Sequence, residues 1–230
     1  MKNAYLLVLP LVASFALTSV SATRPQGTAL AEISLQGPPS SSVTEYVNPN
    51  LPKLFQYLQA SMLVWAPPSA LSTDYTGVAE DIARVVLSEP PLWKDDTSHA
   101  RTGILLLSLA FFESGFRAYV DDLRCNTWAN MKFAHKKLPN EADKLLRLGH
   151  CDGGLAYSMW QIHPIETPEW EAVKIRSEAA RLALKRARMS LAMSGDLRGY
   201  SGEQNGFEKA RKRLEFAEKW SRKHPFDAAK

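Results

Sequence analysis

A chain of 230 residues, 45% of them hydrophobic, can bury one sizeable core and is too short for several independent domains. Its 28 Lys and Arg against 24 Asp and Glu leave a formal charge of +4. Beyond residue 22 the longest apolar stretch, Gly103 to Phe112, has half the length of a membrane-spanning helix, which excludes an integral membrane body built on helices.

The first residues address the compartment. Lys2 supplies a short positive start, Ala4 to Leu17 is apolar apart from Pro10 and Ser14, and Val20-Ser21-Ala22 places small residues where signal peptidases accept them. Residues 1–22 therefore read as a signal peptide and the mature chain as exported, either periplasmic or secreted. An uncleaved anchor is the alternative, since Ala4 to Ala22 just reaches bilayer length; Pro10 and the polar residues from Thr18 to Ser21 favour cleavage. Residues 23–50 are rich in Pro, Gly, Ser and Thr, with Gly37-Pro38-Pro39 and Ser40-Ser41-Ser42, and read as a flexible linker. Residues 51–230 form the folded domain.

The spacing predicts a helix over Leu51 to Trp65, with Leu54, Leu58 and Met62 on one face, stopped by Pro67-Pro68. A second helix follows over Val78 to Leu87. The third, His99 to Glu113, has no polar face from Ile104 to Phe112, which predicts a buried helix ended by Gly115. Ser158 to His163 is the best candidate strand. Pro168 to Met193 reads as one long helix ended by Gly195, and Phe207 to Trp220 as a last amphipathic one with Leu214 and Ala217 inward. The class is mainly α.

Two cysteines, Cys125 and Cys151, are expected to pair in an oxidising compartment. The bond closes a loop of about 26 residues, worth roughly 3 kcal/mol on the loop-entropy model. A zinc site with His135, His150 or His163 is the other reading, but the cysteines lack the close pairing of structural zinc sites; no metal and no organic cofactor is expected. Between Lys174 and Lys223 stand fourteen Lys and Arg against six Asp and Glu. Behind an export signal this excess suits an anionic cell-envelope surface rather than nucleic acid, or else is simply the solvated side of helices.

Glu113 carries the chemistry. It stands at the end of the apolar helix among Phe111, Phe112 and Phe116, where burial and the negative end of the helix dipole both disfavour its charged form. A general acid working near neutral pH needs that bias; the plain alternative is a solvated Glu at a frayed end. Gly153-Gly154 permits close backbone approach, and Tyr157 to His163 then mixes aromatic rings with the amide of Gln161, the mixture that glycan clefts use.

Glu113-Ser114-Gly115-Phe116, Ser158-Met159-Trp160-Gln161-Ile162 with Pro164, and Tyr200-Ser201-Gly202 together resemble three ordered motifs of the lytic transglycosylases and the related goose-type lysozymes. The first matches Glu-Ser-x-Phe at the end of an apolar helix. The second matches Gly-Leu-Met-Gln-Ile less well, and the third is a loose counterpart of Tyr-Asn-x-Gly. The resemblance spans roughly Val78 to Trp220. It implies a lysozyme-like helical domain, a monomer, that cuts peptidoglycan glycan strands at the β-1,4 bond between N-acetylmuramic acid and N-acetylglucosamine. Glu113 is then the acid/base, with Ser114, Gln161 and Tyr200 contacting substrate or orienting Glu113, and Tyr157 and Trp160 as sugar platforms.

Two departures shape the expectation. Ser158 and Trp160 replace the family's Gly and Met, which motivates a catalytically silent glycan-binding protein of the same fold as a rival. Glu113 and Gln161 are also 48 residues apart (161 minus 113), far more than the family needs. The excess implies an inserted lobe stapled by Cys125–Cys151, with Trp128 packing it. Glycoside hydrolases generally use two carboxylates, whereas the resemblance implies that one suffices here. Asp121, Asp122 and above all Asp152 are the candidates for a second, which would make a hydrolytic muramidase instead.

Overall fold

The structure, a computed structural model, describes residues 48–66, 68–69, 71–148, 151, 156–201 and 206–228. The expected signal peptide, nearly all of the linker, Gly153-Gly154 and Asp152 lie outside the described residues. What is described is mainly helical, and its only β-pairings are two isolated bridges.

Helix α1 (Leu51–Trp65) has a proline in its first turn, where the missing N–H costs nothing, and buries Leu54, Leu58 and Met62. Helix α2 (Tyr75–Ser88) starts three residues before its apolar face because Asp74 caps it, accepting from the backbone N–H groups of Thr76 and Gly77. Helix α3 (Ala100–Ser114) is the axis of the fold, buried from Thr102 through Ala110 and packed by α1, α2, α8 and α10. At its start the buried Asp96 accepts from the N–H groups of Arg101 and Thr102 and from the Thr102 hydroxyl, a negative charge on the positive end of the dipole. At Gly103, α1 crosses so closely that a Cβ would stand 3.2 Å from Leu58 Cδ2. Gly115, at φ 59°, ends α3 and returns its N–H to the Phe111 carbonyl.

A smaller lobe follows: α4 (Ala118–Asp121), α5 (Arg124–Phe133) and α6 (Asn140–Arg147). It has its own apolar cluster of Tyr119, Val120, Cys125, Leu145 and Cys151, with Trp128 and Leu146 against it. Cys125 and Cys151 form the expected disulfide.

Two expectations are corrected. Ser158 to His163 is not a strand, because Ser158 and Gln161 have left-handed φ of 61° and 48°. The segment is a tight loop closed by reciprocal backbone hydrogen bonds between Tyr157 and Ile162. The long helix is two: α7 (Thr167–Ala172) and α8 (Arg176–Ser194), separated where Ile175 is extended. The Glu169 carboxylate accepts from the Ile165 N–H and pairs with Arg186 of α8, so α7 docks as a separate turn. α9 (Arg198–Ser201) and α10 (Gly206–Lys223) complete the domain, followed by a short 3₁₀ turn at Phe226–Ala228.

Candidate active site

Glu113 is the next-to-last residue of α3 and its side chain is 18% exposed. Arg213 of α10 meets it, with Nη2 2.7 Å from Oε1. The guanidinium is itself only 8% exposed. Its backbone is fixed on α3 as well, since the buried Ser108 hydroxyl donates to the Arg213 carbonyl at 3.2 Å.

The loop 157–162 is tied to the same helix. Trp160 is fully buried, and its indole N–H donates to the Leu106 carbonyl at 2.9 Å. Tyr200 of α9 closes the arrangement by donating its hydroxyl to the Trp160 carbonyl at 3.1 Å. Burial pushes the Tyr200 phenol far above its ordinary range, and the negative charge of Glu113 pushes it further against the opposing pull of Arg213 and Arg186. Tyr200 is therefore protonated at any ordinary pH, a hydrogen-bond donor within the field of Glu113. Three separate segments are thus gathered along α3: the 157–162 loop at Leu106 with Tyr200 upon it, and Arg213 at Glu113 about two turns further on.

Two expected substrate contacts are corrected. Ser114 is 1% exposed: its hydroxyl donates to the Ala110 carbonyl and accepts the Phe116 N–H, so it fastens the helix end rather than facing a ligand. Trp160 is core, because the apolar bulk of α3 takes its ring and the Leu106 carbonyl takes its N–H; no face remains for a sugar. Gln161 is half-buried and its amide donates to the Ser158 carbonyl at 3.1 Å, bracing the loop. Tyr157 is half-buried, edge-on to the exposed Trp170 with ring centroids 5.4 Å apart. Trp128 packs tilted against Tyr119 inside the lobe, with ring centroids 5.9 Å apart, the packing role expected for it.

The carboxylates near the lobe have occupations of their own. Asp121 is 4% exposed and takes Arg176 and the Thr73 hydroxyl. Asp122 is half-exposed and pairs with Arg124 at 2.7 Å. Asp152 falls outside the described residues.

Sequence reasoning missed Arg213, which hides in the run Arg211-Lys212-Arg213. Its signal was the period of α10: Ala210, Arg213 and Ala217 share one buried face. Phe112, expected to help bury Glu113, is instead 42% exposed and edge-on to Phe216 of α10 at 5.3 Å. That pair is partly exposed, whereas Trp160 is fully buried. A groove of about 580 Å³ lies apart from Glu113, which does not line it, between α7, α8 and the start of α9, with Ile165, Glu169, Arg186, Met189, Met193 and Gly199 in its wall. Arg186 donates from this groove to the His163 carbonyl at the end of the Gln161 loop. No family model, curated protein or solved structure matches the chain.

Proposed function

We propose that this chain is an exported, monomeric, lysozyme-like enzyme that cleaves peptidoglycan glycan strands between N-acetylmuramic acid and N-acetylglucosamine, with Glu113 as its acid/base and without metal or cofactor. One observation carries the reading. Glu113, the 157–162 loop and Tyr200 come from three distant segments whose order resembles that of the lytic transglycosylase motifs, and they are gathered along α3, the loop bound at Leu106 about two turns before Glu113. A partly exposed carboxylate on that helix is where an acid/base should be.

The chemistry follows from one carboxylate. Glu113 in its acid form gives its proton to the glycosidic oxygen as the bond from the muramoyl C1 breaks. The resulting carboxylate takes the proton of the muramoyl 6-hydroxyl, whose oxygen closes on C1. The product is a 1,6-anhydro ring, and Glu113 regains its proton. A hydrolytic muramidase requires a second carboxylate to activate water. Asp121 and Asp122 are committed to Arg176 and Arg124, which leaves Asp152 as its candidate.

The silent glycan-binding reading has one observation in its favour, the ion pair of Glu113 with Arg213, since a guanidinium at that distance favours the carboxylate over the acid. Mass spectrometry of digested sacculi separates the readings. The proposal expects 1,6-anhydromuramoyl products from the wild type and a loss of about 10²- to 10⁴-fold in Glu113→Gln, which should remain folded at the assay temperature but melt lower because the buried Arg213 loses its counter-charge. Reducing-end muramic acid, abolished by Asp152→Asn, would reassign the protein as a hydrolase. Binding without any products, from a folded wild type, would favour the silent reading.

A further inference from the structure

Arg213 is an expensive residue to place where it is. Its side chain is 8% exposed, and Nη1 has no hydrogen-bond partner among the described residues. Taking a guanidinium out of water and leaving one of its donors unfilled costs stability, and a buried ion pair seldom returns that cost against an apolar residue of similar size. The neighbouring inward positions of α10 show what an apolar choice looks like: Ala210 and Ala217 fill them. The cation is nevertheless held firmly, since the Ser108 hydroxyl fixes the Arg213 backbone on the same helix that carries Glu113.

We infer that Arg213 is a positioning residue that steadies the Glu113 carboxylate that forms once the proton has left. The inference rests on the proposed acid/base role of Glu113. It sets a trade between the two half-reactions. A nearby cation makes Glu113 a stronger acid toward the leaving glycosidic oxygen, because the charge it develops is already matched. The same cation lowers the fraction of Glu113 that carries a proton at a given pH, so activity is displaced toward acid.

Several other charged or titratable groups stand on the elements packed around this region. Tyr200 of α9 stays protonated and donates to the Trp160 carbonyl. Arg186 of α8 is engaged with Glu169 and the His163 carbonyl. Arg117, just past α3, donates to the Ser114 carbonyl. Lys209 lies one turn before Arg213 on α10 and is exposed. Asp81 of α2 pairs with Arg176. Arg213 is in direct contact with the Glu113 carboxylate.

The test is a carbon-13 NMR titration of the Glu113 side-chain carboxyl in full-length wild type, Arg213→Met and Arg213→Lys, run beside pH–rate profiles of sacculus clearing. Removing the cation should move the Glu113 midpoint, and the acid-form limb of the rate profile with it, upward. Lys at this position should restore most of the wild-type value. If the methionine variant melts below the assay temperature, Arg213→Gln, which keeps a polar head without the charge, carries the same comparison. Coincident midpoints in wild type and neutral variant would overturn the inference, and so would a drop in melting temperature with no shift. If the midpoint moves as expected while wild type clears no sacculi at any pH, the pairing stands and the enzymatic reading falls.

Discussion

The body around α3 and the lobe of α4 to α6 are stabilised by different means. The body buries a continuous apolar cluster from Leu54 of α1 to Ala217 of α10, so its cohesion is spread over many side chains. The lobe has five buried residues in its cluster, and two of those are the cysteines of its disulfide. Its α6 holds inward only Ala142 and Leu145. A piece so small cannot bury enough surface to order itself, and the covalent link supplies what burial does not. The side-chain amide of the buried Asn126 of α5 donates to the Ala156 carbonyl at 2.9 Å, just before the Tyr157 loop, so the lobe touches the candidate site through a short polar contact.

The comparison can be broken at its strongest point first. Leu107→Ala, at a fully buried position of α3, should cost about 2 to 5 kcal/mol and lower a single cooperative transition in denaturant. If the midpoint hardly moves, α3 is not the axis described. The second test is at the lobe. Cys125→Ser with Cys151→Ser should cost up to about 3 kcal/mol, and hydrogen exchange should rise first in α5 and α6 while α3 stays protected. Uniform loss of protection across both regions would erase the distinction between them.

A third test uses pH. Burial, with the negative charge of Asp96 adding to it against a hydrogen bond from Ser221, pushes the Tyr57 phenol up to about 12; its hydroxyl donates to the His224 carbonyl and joins α1 to the chain end. A raised folded-state value means that this contribution is whole below about pH 10 and is lost as pH rises through about 12, amounting to about 2 to 3 kcal/mol. Tyr57→Phe should lack that alkaline loss in melts across the same range, in the body alone. The smallest expected effect is at Glu169. Burial raises its carboxyl, but the Ile165 N–H and the Arg186 guanidinium outweigh burial and hold it below the usual Glu range. A lowered value gives stability that is present above the ordinary Glu range and lost as pH falls through the folded value. Glu169→Gln should therefore destabilise by under about 1 kcal/mol at pH 7, and the difference should vanish in acid. A difference that persists at low pH would assign Glu169 a packing role instead.

The helices that bury a simple stripe were legible in the sequence. Leu51–Trp65 ends where the prolines require, and α3 was marked by its lack of any polar face. Glu113 was legible for the same reason, as the first charge after a wholly apolar run. What escaped was set by tertiary contacts. Trp160 read as a ligand platform because nothing local reveals that the Leu106 carbonyl takes its N–H. Arg213 read as surface charge because its partner is 100 residues earlier in the chain (213 minus 113). The break between α7 and α8 depends on Arg186 drawing Glu169 to itself, a pairing that helix propensity does not see.

The hydrogen bond from Trp160 to the Leu106 carbonyl makes α3 a ruler. Leu106 and Glu113 are seven residues apart, which on a helix is about two turns and about 10 Å on nearly the same face. The Gln161 loop and the carboxylate are therefore spaced by the rise of one rigid rod rather than by the give of a flexible connection. Any change that winds, kinks or shortens those two turns slides the two jaws past each other in fixed proportion. A Pro or Gly placed between Leu106 and Glu113 would misalign them even with every side chain of the site unchanged.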